Sequence, residues 1–66
     1  MEIWVLMWML MYEADGGKVG YQPRSQEVVG TLDDCKRVAR ELRLYYIEKK
    51  IRYGNVICVN KDDLKK

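Results

Sequence analysis

Few side chains in this 66-residue sequence could carry out chemistry. Histidine is absent, which removes the commonest metal ligand and the best proton-transfer group near neutral pH. The adjacent aspartates at residues 33–34 and 62–63 point in different directions, and the Gly-Gly-Lys of residues 16–18 lacks the spacing of a phosphate-binding loop. We therefore expect no catalytic residue, no metal site and no cofactor, in a protein that is not an enzyme.

The two cysteines are the remaining reactive groups. Cys35 falls in a helical pattern and Cys58 in an apolar strand pattern, where cysteine behaves as a small hydrophobic residue. We interpret both as buried thiols in a reducing compartment; a bridge across a helix–sheet interface is the alternative, because sequence does not give connectivity. The only candidate targeting segment, residues 3–12, is too short to span a membrane and follows Glu2, so we expect a cytoplasmic protein without a membrane segment.

The strongest pattern in the chain is the apolar run IWVLMWMLMY at residues 3–12. We interpret it as a strand rather than a buried helix, because a hairpin-type turn, DGGK, follows at residues 15–18. A second strand at residues 19–29 contains Pro23 and many polar residues, which is typical of a sheet edge. After a reversal at residues 53–55, residues 56–59 form a short third strand, and residues 61–66 form a charged tail that we expect to fray.

A helix is predicted from its N-cap, Thr31, to about Lys49. Its apolar stripe consists of Leu32, Cys35, Val38, Ala39, Leu42, Tyr45 and Tyr46. The chain is then a single α+β domain over residues 1–66 with the order β-β-α-β. A right-handed crossover and a central position for the most apolar strand predict a three-stranded antiparallel sheet of order 2-1-3, with the helix packed on one face.

The first strand is apolar on both of its sides. Because side chains alternate across a strand, Met7, Met9 and Met11 point one way, while Trp4 and Trp8 point the other. One helix covers only one face of the sheet, so a second molecule must cover the other. We predict a homodimer; the alternative is docking of a different protein, with the methionines as adaptable contacts and the tryptophans as anchors.

Two further surfaces are candidates for contact. The outer edge of the third strand is uncharged, so it could pair with a second copy or a partner strand through Val56, Ile57 and Val59. The helix carries a basic face that includes aliphatic side chains, formed by Lys36, Arg37, Arg40, Arg43, Leu44 and Ile47. A solvated face is the simplest explanation, and a protein-contact patch or a phosphate-contact strip is the functional one. Nucleic acid is the weaker choice, because the net charge is only +2 and no recognition motif is present.

An apolar first strand, a turn through Asp-Gly-Gly and the run VVGTLDDC at residues 28–35 lead into the basic helix. This arrangement resembles the small accessory proteins of bacteriophages and prophages, and the resemblance covers most of the chain. It implies a non-catalytic protein that binds a host macromolecule, as inhibitors of CRISPR effector complexes and other host-takeover factors do. We therefore expect a homodimeric inhibitor or modulator of a host protein or defence complex in the bacterial cytoplasm. A nucleic-acid-binding module and a purely structural homodimer are the alternatives.

Overall fold

The computed structural model describes residues 2–65. Its elements, in chain order, are β1 (Glu2–Glu13), β2 (Val19–Gly30), α1 (Leu32–Lys49), β3 (Tyr53–Asn60) and a 3-10 helix (Lys61–Lys65). The three strands form one sheet of order β2-β1-β3, in which β1 is antiparallel to both neighbours. The predicted α+β fold and the central position of the most apolar strand are confirmed.

The β1–β2 hairpin pairs without interruption over 12 residues of each strand. Its turn is closed by the Ala14 N–H, which donates to the Lys18 carbonyl over 2.7 Å. Gly16 and Gly17 have φ values of 83° and 78°, a region that glycine enters at little cost. β2 continues through Pro23, because an edge strand tolerates one missing backbone donor.

A capping box starts α1. The Thr31 hydroxyl accepts a hydrogen bond from the Asp34 N–H (3.3 Å), and the Asp34 carboxylate accepts one from the Thr31 N–H (2.8 Å). Gly30 has a φ of 138°, and a Cβ at this position would collide with the same carboxylate. The backbone and side-chain hydrogen bonds from Thr31, and then the Arg37 charge, lower the pKa of Asp34 below its ordinary value of 3.8.

We expect Asp34→Asn to lower the melting temperature at neutral pH and to flatten the loss of stability in acid. Because the pKa of Asp34 is lower in the folded chain, its stabilising contribution is complete above 3.8 and is lost as the pH falls through the folded-state pKa. Thermal unfolding followed by circular dichroism from neutral pH into acid measures both effects. Asp33→Asn, which removes a charge from the same turn but leaves the cap in place, is the control; an equal effect there would disprove a role for the cap.

The reversal between α1 and β3 lies earlier in the chain than predicted. Lys50 is the C-cap, with a left-handed φ of 59°, and its N–H donates to the Ile47 carbonyl over 3.1 Å. Residues 53–55, the predicted reversal, instead belong to β3. Asn55, with a φ of 54°, lies at a bulge in the β1–β3 pairing, which is how the strand accommodates a residue expected in a turn.

The segment predicted to be a frayed tail is folded as far as the structure describes it. Lys61–Lys65 form the 3-10 helix, and the Asn60 side-chain oxygen accepts a hydrogen bond from the Asp62 N–H over 2.9 Å. The Lys61 ammonium pairs with the Glu27 carboxylate at 2.9 Å. Lys66 lies outside the described residues.

The core lies between α1 and the face of β1 that carries Leu6 and Trp8. Its buried members are Leu6, Trp8, Val28, Cys35, Ala39 and Tyr46. The Trp8 indole N–H donates to the Tyr46 hydroxyl over 3.0 Å, so two polar groups inside the core satisfy each other.

The core assignment corrects three sequence-based interpretations. Trp8, predicted as a partner anchor, is only 7% exposed and belongs to the core, and Trp4 packs against the same cluster. Tyr45, predicted in the apolar stripe of the helix, is exposed and packs edge-on against Tyr46. The third is the pairing of Cys35 with Cys58.

Cys35 and Cys58 form a disulfide, so the interpretation as two thiols is wrong and the alternative of a bridge is correct. The bond joins α1 to β3 across the helix–sheet interface, with a Cα–Cα distance of 6.3 Å and a sequence separation of 23. The apolar stripe of the helix places Cys35 in the core, directly over the edge strand that carries Cys58. The disulfide therefore fixes the position of α1 relative to β3.

Candidate binding surfaces

The face of the sheet that points away from α1 has no cover among residues 2–65. We call it the open face; it consists of the odd-numbered residues of β1 and the residues directly opposite them in β2 and β3. Its apolar members are Ile3, Val5, Met7, Met9, Met11, Val19, Tyr21, Val29, Ile57 and Val59. Tyr21 is 59% exposed, Val29 58% and Ile57 50%. The three methionines predicted to make contacts therefore lie on the uncovered side of the sheet.

Charge is scarce on the open face. Its two carboxylates are those of Glu13 and Glu27, and Lys61 neutralises the second of them. Glu27 lies on β2 and Lys61 follows β3, so this ion pair crosses the central strand near Val5. A hollow of about 250 Å³ lies near the middle of the strand and is lined by Met7, Trp8, Met9, Pro23, Arg24, Asn55 and Ile57. The open face is therefore mostly apolar, and its two carboxylates lie on either side of this hollow.

Sequence reasoning missed the contribution of β2 to the open face. Its polar composition indicated only an edge strand, yet Val19, Tyr21 and Val29 all point to the uncovered side. The signal that could have found them is the hairpin register, because the tight turn at residues 15–18 fixes which residue of β2 lies opposite each methionine.

A second surface lies between α1 and β3. It is a groove of about 490 Å³ lined by Leu32, Lys36, Ala39, Arg40, Arg43, Val56 and Cys58. We call it the basic groove, because three of its lining side chains are cationic and none is acidic. The sequence predicted the helix side of this groove but not its β3 wall, which only the helix–sheet packing brings into place.

The structure divides the predicted basic face of the helix. Lys36, Arg40 and Arg43 line the basic groove, whereas the Arg37 guanidinium donates to the Asp34 carboxylate (2.8 Å) as part of the helix cap. Leu44 and Ile47 are exposed and line no part of the groove. These two aliphatic residues therefore do not form one patch with the three groove cations.

Helix α1 runs alongside β3 in the opposite direction. Cys35 is bonded to Cys58 at one end, and the rings of Tyr46 and Tyr53 lie 5.8 Å apart at the other. At about 1.5 Å per helical residue and about 3.3 Å per strand residue, both stretches are about 16 Å long. The groove cations therefore follow the strand lengthwise.

The outer edge of β3 pairs with no strand among the residues described. Of the three residues predicted at this edge, Ile57 and Val59 point to the open face, and Val56 packs against the core. The two edges of the sheet differ: β2 carries Pro23, Arg24 and Glu27, whereas β3 contains neither proline nor a charged residue. Proline, charge and bulges all protect a sheet edge against strand pairing. β3 has only its bulge at Asn55, so residues 56–60 form the less protected edge.

The open face, the basic groove and the β3 edge are the candidate functional sites among residues 2–65. In residues 2–65 no group of three or more His, Cys, Asp or Glu side chains is placed to hold a metal ion. No helix in this part of the chain has the length and apolar character needed to cross a membrane. No family model, curated protein or solved structure matches the chain. The resemblance to phage accessory proteins stays a prediction.

Proposed function

We propose that the protein is a non-catalytic binding module that acts as a homodimer, with the open face buried between two copies. The observation that carries this proposal is the set of exposed apolar side chains on the side of the sheet opposite α1, among them Tyr21, Val29 and Ile57. Soluble monomers rarely leave such a continuous apolar surface in water.

A second copy is the occupant that best fits the chemistry of this face. The face is apolar with few charges, so its complement is another apolar surface, and an identical face meets that need in a two-fold dimer. The strands of 12, 12 and 8 residues cover about 500 Å² in projection, and the relief of their side chains adds to that area. This approaches the roughly 800 Å² that each partner buries in a stable interface.

A dimer would also add to the stability of so small a domain. A chain of 66 residues buries a smaller share of its surface than a larger domain does, and its core has only six buried side chains in the described part. Stacking the two sheets about 10 Å apart would create a second core between them and leave both helices on the outside. Association and folding would then support each other.

The resemblance to phage accessory proteins adds the expectation that the dimer binds a host protein or defence complex and inhibits or modulates it in the host cytoplasm. The basic groove and the β3 edge remain at the surface of such a dimer, because the sheets stack by their faces. A purely structural homodimer, which shares the open-face contact and binds nothing else, is the alternative.

We expect Ile57→Glu to convert the dimer to a monomer. Each dimer would bury two unpaired carboxylates, so we expect the dimer dissociation constant to rise by about 100-fold or more. Analytical ultracentrifugation over a dilution series measures it. Ile47→Glu is the matched control, because Ile47 is 62% exposed on the helix and lies away from the open face.

Circular dichroism shows whether each variant folds. If Ile57→Glu does not fold, Val29→Glu places the same charge on the open face from β2. A wild-type chain that sediments as a folded monomer at every concentration would contradict the proposal. So would equal dissociation by Ile47→Glu, because the contact would then involve the helix rather than the sheet.

A further inference from the structure

We propose that β3 and the basic groove together bind an acidic, extended segment of another protein, which joins the sheet as a fourth strand beside β3. This inference extends the proposed binding function by naming the chemistry of the partner. The inference rests on the proposed function in one respect: the β3 edge must stay free. The edge is free when the dimer forms through the open face.

The two edges of the sheet differ in how well they are protected against an added strand. β3 has unpaired backbone on its outer side, and beyond the bulge at Asn55 residues 56–60 carry neither charge nor proline to block an incoming strand. Pro23 and its charged neighbours protect β2. An extended peptide on such an edge gains main-chain hydrogen bonds, and its alternate side chains point to one face. The face beside α1 is where the basic groove lies.

The spacing of the groove cations matches the spacing of side chains on an added strand. Lys36, Arg40 and Arg43 follow one another at four- and three-residue steps, so they lie on one side of α1 and span about 10 Å. Alternate side chains of an added strand are about 7 Å apart. Because α1 runs along β3, two successive acidic side chains on the helix side of the new strand would both meet groove cations.

The same charges exclude a second copy as the occupant of this edge. Two β3 strands paired edge to edge would be related by a two-fold axis perpendicular to the sheet, which places both helices on the same face. The cations of both basic grooves would then converge without a carboxylate in either lining. Such like-charge contact opposes association, so the edge fits an acidic partner and not itself.

A nucleic acid would also be attracted to the cations, but the groove suits a peptide better. No aromatic side chain lines the groove, so single-stranded bases would find no stacking surface. The backbone donors and acceptors of β3 are arranged for another strand, not for phosphates. The lining residues Val56 and Cys58 belong to the strand that would pair with the peptide.

The test uses the full chain and a short fluorescent peptide in which glutamate and threonine alternate, with binding followed by fluorescence anisotropy. We expect Arg40→Glu and Arg43→Glu each to weaken binding by about 10-fold or more. Lys18→Glu, in the exposed β1–β2 turn and outside the groove lining, is the matched control and should change affinity by less than about 2-fold. A lysine–threonine peptide should not bind.

A second probe tests strand addition itself. The same acidic peptide with N-methyl groups on alternate backbone nitrogens keeps its charge but loses its strand donors, so we expect its affinity to fall by about 10-fold. Equal binding of the methylated peptide would overturn strand addition. Oligothymidylate is the nucleic-acid probe. If it binds more tightly than the acidic peptide, and if Arg40→Glu and Arg43→Glu abolish that binding, the choice of a protein partner is overturned.

Failure of this inference and failure of the dimer are distinguishable. Sedimentation of the wild-type chain reports the dimer without any peptide, and peptide binding is measured separately. A dimer that does not bind the peptide refutes the inference alone, and a monomer that binds it refutes the open-face dimer alone.

Discussion

Leu6→Ala is expected to lower the free energy of unfolding by about 2–5 kcal/mol, enough to unfold a large share of a small domain. Leu6 is fully buried on the central strand, opposite Cys58 of β3 and beneath the helix. Truncation to alanine removes the transfer free energy of the side chain and leaves a cavity that the strand pairing prevents from closing. Urea unfolding followed by circular dichroism at a fixed protein concentration measures the change.

Leu44→Ala provides the matched control. The substitution is identical, but Leu44 is 61% exposed on the helix, so we expect its effect to stay within about 0.5 kcal/mol. Equal losses at the two positions would mean that Leu6 is not in the core and that the helix does not cover this face of β1.

The sheet order could be predicted from the sequence because several local features agreed. The apolar run at residues 3–12, the glycine turn after it and the polar second strand all favour a hairpin with β1 toward the centre. The face of β1 that the helix covers could not be predicted, because both faces are apolar. It is decided by packing between distant residues, such as the hydrogen bond from Trp8 to Tyr46, 38 positions apart.

For the binding surfaces too, local sequence patterns predicted some features, and packing between distant residues decided the others. The helical period placed Lys36, Arg40 and Arg43 on one side of α1, which the groove confirms as a spatial arrangement. That period carries no information about Arg37, which a local contact with Asp34 draws into the helix cap. The helical period also does not show that β3 lies beside these cations, because the position of β3 depends on how the helix packs across the sheet.

The two surfaces suit different partners for a physical reason. The open face has a large apolar area and almost no charge, so it favours a stable apolar contact with little directional preference. The basic groove has a free strand edge and cations, so it favours a partner with a defined backbone conformation and charge. In the proposed dimer, burial of the open face would leave the basic groove accessible, so one small chain could associate with itself and bind another protein at the same time.

The disulfide is expected to have the second large effect on stability. Replacing both cysteines, as Cys35→Ala with Cys58→Ala, should lower the free energy of unfolding by about 3 kcal/mol, because the bond closes a segment of 23 residues in the unfolded chain. Urea unfolding of the wild type with and without a thiol reductant measures the same quantity, and the reductant should leave the double variant unchanged. Thiol alkylation followed by mass spectrometry confirms the redox state in each sample.

Loss of the bond should also weaken the basic groove, because it is the covalent link between the helix that carries the cations and the strand that forms the opposite wall. We expect the reduced protein to bind the acidic peptide less tightly than the oxidised protein under conditions in which both are folded. In a reducing compartment the chain would lack this link, so its affinity there would be the lower of the two. Unfolding and peptide binding that are both insensitive to the reductant would contradict this role for the disulfide.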